Sequence, residues 1–269
     1  VNRDAADILL LEGIYKSFGP LDVLQGIDLT VRRGETLVII GQSGTGKSVT
    51  LRLMIGLLDP DEGRVLFEGE DIAGYNDQQL ALMRERFAML FQGGALFDSM
   101  TVGDNVAFGL RALGERDEER IRGVVREKLR QVGLPGTEEK MPAELSGGMK
   151  KRAALARAIA VDPEVILYDE PTTGLDPIMS DAIADLILET RESLREKNAT
   201  SIVVTHDMHV ALKTADRIVM LHEGRIVAEG PPETYRRLRD VSAPPEEEAD
   251  RMVRQFVRGE AEGPITAVR

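Results

Sequence analysis

No cysteine occurs among the 269 residues. Disulfides and thiolate metal sites are therefore excluded, and a reducing compartment such as the cytoplasm is the expectation. Long apolar runs are missing too: stretches such as TLVII at 36–40 fall far short of the ~18 residues that a membrane-crossing helix requires. Any work at a membrane would need a partner. The N-terminus shows no charged-then-apolar signal pattern, and because residue 1 is Val, no claim about upstream targeting follows. Positive charge is in deficit, with 34 Lys and Arg against 46 Asp and Glu, a net charge of -12. That balance disfavours broad affinity for nucleic acid or anionic lipid, both of which need basic surface, and leaves room only for local basic patches. No internal repeat is evident.

What is present suits a globular chain with one elaborated core, at 42% hydrophobic and 30% charged residues. The segments ILLLEGIYKSFG and LQGIDLTVRRGETLVIIG read as alternating β segments broken by glycine. A strand at Thr36–Ile40 runs into the loop GQSGTGKS, and KSVTLRLMIGLL then spaces its apolar residues as a helix up to Asp59 and Pro60. GRVLFEGEDI suggests a strand pair, followed by a helix from about Asp77 to Arg86. Ile121, Val124, Val125, Leu129 and Val132 mark one face of a further helix whose other face is solvated Arg and Glu. From Met149 the chain alternates helix, strand VILYDE, helix from about Pro177 to Glu196, strand SIVVTH, helix, and a hairpin RIVMLHEGRIVAEG. Such alternation implies an α/β fold with a mostly parallel sheet covered by helices. APPEEE at 243–248 breaks the pattern, and Met252, Val253, Phe256 and Val257 then form a short amphipathic stripe that suggests a docked tail.

The pattern G-x-x-x-x-G-K-[ST] is met by Gly41, Gly46, Lys47 and Ser48 between a strand and a helix. Phosphate chemistry needs that context. Backbone N–H groups of Gly41, Gln42, Ser43, Gly44, Thr45, Gly46, Lys47, Ser48 and Val49 wrap the phosphates, the helix N-terminus adds partial positive charge, and Lys47 reaches the terminal phosphates. Magnesium must neutralise the phosphates, with the Ser48 hydroxyl as one ligand and a carboxylate as another. Asp169 stands at the end of an apolar strand for that purpose, and Glu170 beside it can activate a water; helix capping or plain exposure is the other reading of the acid pair. Gln92 in MLFQGG can coordinate the metal or its water, and His206 ends another apolar strand, where a lone histidine is more often structural. A second glycine turn, ELSGGMKKR at 144–152, has no lysine in the phosphate-loop place and no strand before it. Ser146, Gly147 and Gly148 open a helix through MKKRAALARAIA, so this turn is either a bare helix cap or a second phosphate contact.

Together these elements resemble the ATP-binding subunit of ABC transporters, over nearly all of residues 8–235. The resemblance implies an α/β P-loop NTPase fold of ABC ATPase type. It has a mostly parallel core sheet, an N-terminal antiparallel β subdomain and a helical subdomain near 95–160, all within 8–240, with 241–269 as a C-terminal extension. It implies ATP hydrolysis with Mg2+. Phe18 stands where the family stacks an aromatic on adenine. Gln92 matches its glutamine, Leu145, Ser146, Gly147, Gly148 and Met149 its signature, and Asp169 and Glu170 its metal-associated acid and general base. Asp176 in GLDP corresponds to the residue bridging subunits and His206 to the switch histidine. Family members pair head to tail, so each ATP lies between the phosphate loop of one subunit and the signature of the other. Hence one chain carries two glycine turns, each half of a site.

The signature departs from the commoner LSGGQ at Met149. FQGGALFDSMTVGDNVAF, MPAELSGGMKKRAALARAIA and VRQFVRGEAEGPI are similar to the Mla/Mce group, whose ATPases energise lipid, chiefly phospholipid, movement between membranes. That likeness implies a homodimer peripheral to the cytoplasmic face of a bacterial inner membrane. Its implied partners are integral permease subunits, a small STAS-type accessory protein and a membrane-anchored Mce-type lipid-binding protein, and nucleic acid is not among them. Leu96, Phe97 and Met100 resemble the groove for a permease coupling helix, or are core. Met252 and Phe256 are either anchors on a neighbouring ATPase or part of a tail folded on its own domain. An ATPase of a polar-solute importer shares every nucleotide residue and remains the alternative. A soluble ABC ATPase of DNA repair or translation fits less well, because repair members insert a coiled coil and translation members carry two cassettes.

Overall fold

The computed structural model describes residues 7–194, 198–240 and 247–266. The chain divides into two compact units: one comprises the sequence up to Ala81 and from Ile202 onward, the other Leu82–Ser201.

In the first unit, β1 (Asp7–Phe18) and β2 (Leu21–Arg32) form an antiparallel hairpin, and β3 (Thr36–Ile40) leads through the glycine loop into α1 (Lys47–Met54). α1 is shorter than the apolar spacing predicts, ending at Met54 and not near Pro60. Gly56 adopts φ +63, and the N–H groups of Gly56 and Leu57 turn back onto the carbonyls of Leu53 and Arg52 at 3.0 and 2.9 Å. This left-handed closure satisfies the last carbonyls and stops the helix. β4 (Glu62–Phe67) and β5 (Glu70–Asp71) complete an antiparallel sheet in the order β2-β1-β4-β5. α2 (Asp77–Glu85) follows, one residue short of its expected end.

The second unit begins with β6 (Phe87–Leu90), continues through the helices α3 (Val102–Ala112), α4 (Glu118–Gln131) and α5 (Gly147–Ile159), and ends with β7 (Val165–Asp169) and α6 (Pro177–Ser193). β6 and β7 pair in parallel, and α3, α4 and α5 pack on one another. Each helix begins where a short polar side chain accepts from its first-turn N–H groups: Thr101, Asp117, Ser146 and Asp176 in turn. The expected end of α6 at Glu196 lies outside the described residues.

β8 (Thr200–Thr205), α7 (Met208–Thr214), β9 (Arg217–His222), β10 (Arg225–Gly230) and α8 (Pro232–Arg239) return the chain to the first unit. Strands there run in the order β10-β9-β3-β8, with β3 and β9 parallel and β9 and β10 antiparallel. Leu37, Val38, Ile39 and Ile40 are at most 1% exposed, which explains an unbroken apolar run where a half-exposed strand would alternate. Each such burial contributes roughly 1.5–3 kcal/mol. Buried Arg217 gives Glu35 two hydrogen bonds, at 2.6 and 3.2 Å, and reaches Glu229 at 2.5 Å. It thereby pins the start of β9 to the turn before β3.

Of APPEEE, residues 243–246 lie outside the described residues, and Glu248 opens α9 (Glu248–Arg258). α9 packs on α8 and β10 through a face that buries Val253, Gln255 and Val257, whereas Met252 and Phe256 stay half-exposed. The Gln255 amide closes the C-terminal turn: Oε1 accepts from Ile265 N–H at 2.7 Å, and Nε2 donates to the Glu260 carbonyl at 3.2 Å and to Thr266 Oγ1 at 3.0 Å. Among the described residues no helix is long and apolar enough to cross a membrane.

Candidate nucleotide site

The glycine loop between β3 and α1 is shaped by its own backbone. Gly46 sits at φ +99, and a Cβ there would come within 2.5 Å of Leu24 Cδ2 and 3.0 Å of the Val23 carbonyl. Only glycine fits. Buried Lys47 folds back so that Nζ donates to the carbonyls of Gly41 (2.8 Å) and Gln42 (2.9 Å), which draws the loop into a ring beneath its ammonium. Gln42, Ser43 and Gly44 at the loop crown are exposed, and Thr45, Ser48 and Val49 are half-buried.

The helix that follows, like α8 and α9, begins without a side-chain cap. α3 through α7 each begin on a side-chain cap, but α1 has none and carries no acid in its first turn. A phosphate fits such an end, because the first-turn N–H groups and the helix dipole both favour an anion. Phe18, 46% exposed at the tip of β1, offers a ring face, with the Lys16 ammonium 5.6 Å from its centroid. Asp61 fixes that tip by accepting from Lys16 Nζ at 2.7 Å and Ser17 N–H at 2.6 Å. His206 follows β8, exposed, one residue before the Asp207 cap of α7.

In the second unit the acid pair ends β7. Asp169 and Glu170 are both buried, and Glu170 takes φ +50. A left-handed backbone at a residue with a Cβ costs roughly 1–2 kcal/mol, and strain of this kind clusters at functional positions. Thr173 accommodates it by donating its N–H to the Glu170 carbonyl and its hydroxyl to Glu170 Oε2, each at 3.2 Å. Sequence reasoning missed both Thr173 and Lys151. Lys151 on α5 is buried, with Nζ donating to the Pro171 carbonyl at 2.9 Å and the Thr173 carbonyl at 2.6 Å. Burial pulls its pKa below the ordinary lysine value, against the opposing charge of Glu170. A signal existed: Lys151 shares its helix face with buried Leu155 and Ala158, where a solvated lysine does not belong.

The second glycine turn is the N-terminus of α5. Ser146 Oγ accepts from Met149 N–H at 3.3 Å and keeps its own proton for an oxygen acceptor. The capping reading of this turn thus holds locally and leaves phosphate contact open. A Cβ at Gly148 would meet the terminal methyl of Met179 at 2.5 Å and displace that flexible side chain, while Gly147 is open and Leu145 is buried beneath the turn. Asp176 caps α6, accepting from Met179 N–H at 3.0 Å, and Ile178 beside it is 81% exposed.

Gln92 is exposed just after β6. Beyond it, Phe97 is exposed and packs on exposed Phe108 with ring centroids 4.7 Å apart, and Leu96 and Met100 are half-buried. The Arg157 guanidinium lies 5.5 Å from the Phe97 centroid and donates to the carbonyls of Ala95 (2.7 Å) and Gly94 (3.2 Å). Of the residues named from sequence, the structure brings Gly41, Gln42 and Lys47 together in the first unit, and in the second it sets Glu170, next to Asp169, against Thr173 and near Lys151.

Among the described residues no cluster of three or more His, Asp or Glu is arranged to hold a metal. The donors named for it are a hydroxyl (Ser48), an amide (Gln92) and one carboxylate (Asp169). This all-oxygen set suits Mg2+, a hard cation that keeps waters and leans on substrate phosphates.

A strand-loop-helix phosphate cradle with a strand-end acid pair defines a P-loop ATPase. Residues 24–173 match the family described as ABC transporter. The chain belongs to that family and is one of its ATP-binding, ATP-hydrolysing subunits. It is 42% identical over 255 residues to "Probable ribonucleotide transport ATP-binding protein mkl" of Mycobacterium tuberculosis, covering 95% of this chain and 67% of that one. It is 40% identical over 265 residues to "Intermembrane phospholipid transport system ATP-binding protein MlaF" of Escherichia coli, covering 98% and 94%. Among solved structures, the dimeric post-hydrolysis state of the ATP-binding cassette MJ0796 bound to ADP and Pi aligns with a TM-score of 0.76 at 31% identity, covering 84% of this chain and 99% of that one.

Proposed function

We propose that this chain energises phospholipid trafficking between membranes by hydrolysing ATP beneath a separate integral permease. The carrying observation is the near end-to-end likeness to the MlaF protein, 98% of this chain against 94% of that one. Two copies pair head to tail around ATP. In each, Phe18 stacks on adenine, the 41–49 backbone with Lys47 holds the phosphates, and Leu145–Met149 of the other copy closes the γ-phosphate side. Ser48, Gln92 and Asp169 would hold Mg2+, which would neutralise charge on the phosphates. Glu170 takes the proton of the attacking water, and His206 contacts the γ-phosphate. Asp176, with Ile178 exposed beside it, bridges the copies.

Leu96, Phe97 and Met100 receive the permease, placing the chain peripherally at the cytoplasmic face. Met252 and Phe256, half-exposed on α9, reach the neighbouring ATPase, and a STAS-type protein and an Mce-type lipid-binding protein complete the assembly. Removing residues 244–269 should then weaken pairing; unchanged pairing and complex yield would leave the tail a purely local element.

The name of the mkl relative favours a second reading, transport of a polar solute such as a ribonucleotide. The two part on one experiment: purify the complex from membranes, identify its subunits and bound lipids by mass spectrometry, and reconstitute it with labelled phospholipid or ribonucleotide. ATP-dependent phospholipid movement supports the first reading, and ribonucleotide movement alone replaces it.

A further inference from the structure

We propose that Lys151 is a positioning residue for ATP hydrolysis, tying the helix that carries the second glycine turn to the turn that presents Glu170. Lys151 is 7% exposed, and its ammonium donates to the carbonyls of Pro171 and Thr173 at 2.9 and 2.6 Å. Those carbonyls lie one and three residues past Glu170, whose carboxylate accepts from the Thr173 hydroxyl at 3.2 Å. Glu170 itself holds φ +50, so its direction depends on whatever keeps the following turn closed. An apolar side chain would fill the same place beside Leu155 and Ala158 with no charge to desolvate. The lysine is explained by its two charge-assisted bonds, which lock the carbonyls of the turn in one orientation.

Ser146 begins the same helix five residues earlier, about 7.5 Å along its axis. Movement of the glycine turn is thereby passed to Glu170 through one ammonium. The inference rests on the reading of Glu170 as general base and of Ser146 as a contact to the other copy's ATP. On that reading, Lys151 makes the state of one shared site felt at the base of the other.

Steady-state ATP hydrolysis by the full chain in its membrane complex tests this with Lys151→Met and Lys151→Gln, beside Glu170→Gln. Lys151→Met should lower kcat roughly tenfold or more, as small misplacements of a base do, while KM for ATP stays within about twofold. In a Glu170→Gln background it should still pair on ATP. Lys151→Gln, which keeps two N–H donors, should recover part of kcat. A wild-type kcat in Lys151→Met overturns the proposal. Parallel loss of kcat, ATP affinity and pairing overturns it too, because that pattern belongs to a structural support. Should the Met variant fail to fold, Lys151→Ala, which also lacks the donors, decides: reduced kcat at unchanged KM supports the proposal, and full kcat overturns it. Glu170→Gln separates the two claims. If it hydrolyses ATP at the wild-type rate, the base reading fails; if it is silent while Lys151→Met is fully active, only the role of Lys151 fails.

Discussion

Asn105 grips Phe97 at both faces of its backbone, with Oδ1 accepting the Phe97 N–H at 2.7 Å and Nδ2 donating to the Phe97 carbonyl at 3.1 Å. Nδ2 also reaches the carbonyls of Met100 (3.2 Å) and Thr101 (2.9 Å), so one fully buried amide organises the loop that carries Phe97. Replacing it by Leu leaves those groups without their partner. The expected loss, by urea unfolding, is about 2–4 kcal/mol, the range for a buried network deprived of its hub. A loss below about 0.5 kcal/mol, within the range of ordinary surface changes, would mean that the loop supports itself.

Phe97 is exposed while its backbone is fixed, which is the arrangement of a contact side chain and not of a core one. Phe97→Asp should leave ATP affinity within about twofold and reduce transport per ATP hydrolysed. Comparing nucleotide affinity with transport in the reconstituted complex reads the two separately. A parallel loss of ATP affinity would make Phe97 structural.

The glycine loop admits a sharper test than deletion of its lysine. Gly46→Ala would place a methyl against Leu24 and the Val23 carbonyl at a backbone angle that disfavours a side chain. The loop must open to accept it. ATP affinity by calorimetry should fall about tenfold or more, since the first-turn N–H groups can no longer converge on phosphate. Retained affinity would show that this ring is not the phosphate cradle.

Acid stability carries a local signature. The Arg111 guanidinium, bonded to Asp104 at 2.9 Å, and then the Thr101 hydroxyl hold the Asp104 carboxyl below its ordinary range. Arg111 also reaches Glu118 at 3.0 Å, so the cluster joins α3 to α4. The folded pKa lies below the unfolded one, so this stabilisation is complete above about pH 4 and is lost as pH falls through the folded value. Asp104→Asn should therefore be slightly less stable at pH 7 and lose less stability between neutral pH and strong acid. Identical pH slopes for the two proteins would contradict the assignment.

Much of the fold was legible because its strongest elements announce their own period. The run 36–40 is apolar without alternation since β3 is buried on both faces, and the stripe from Ile121 to Leu129 marks α4. Weaker elements were not legible. Four residues of β6, FAML, are too few for a period, and the end of α1 turns on Gly56 alone, against apolar spacing that runs on to Leu58. At the site, the glycine loop and the strand-end acids could be named from local pattern. Lys151, Thr173 and Asn105 could not, for different reasons. Lys151 reaches carbonyls far along the chain and is hinted at only by the apolar face it shares with Leu155 and Ala158. The bonds of Thr173 to the Glu170 carboxylate and of Asn105 to the Phe97 backbone depend on the path of a local turn, which residue pattern does not give.

The central claim is that one chain holds two half-sites and that ATP joins two chains. Sedimentation of Glu170→Gln with and without ATP and Mg2+ tests it most directly, repeated with Ser146→Arg added to obstruct the second glycine turn. The account predicts single chains without nucleotide, pairs with it, and single chains again when Ser146 is replaced. Glu170→Gln that stays single at saturating ATP with its membrane partners present, or pairs that form regardless of Ser146, would contradict it.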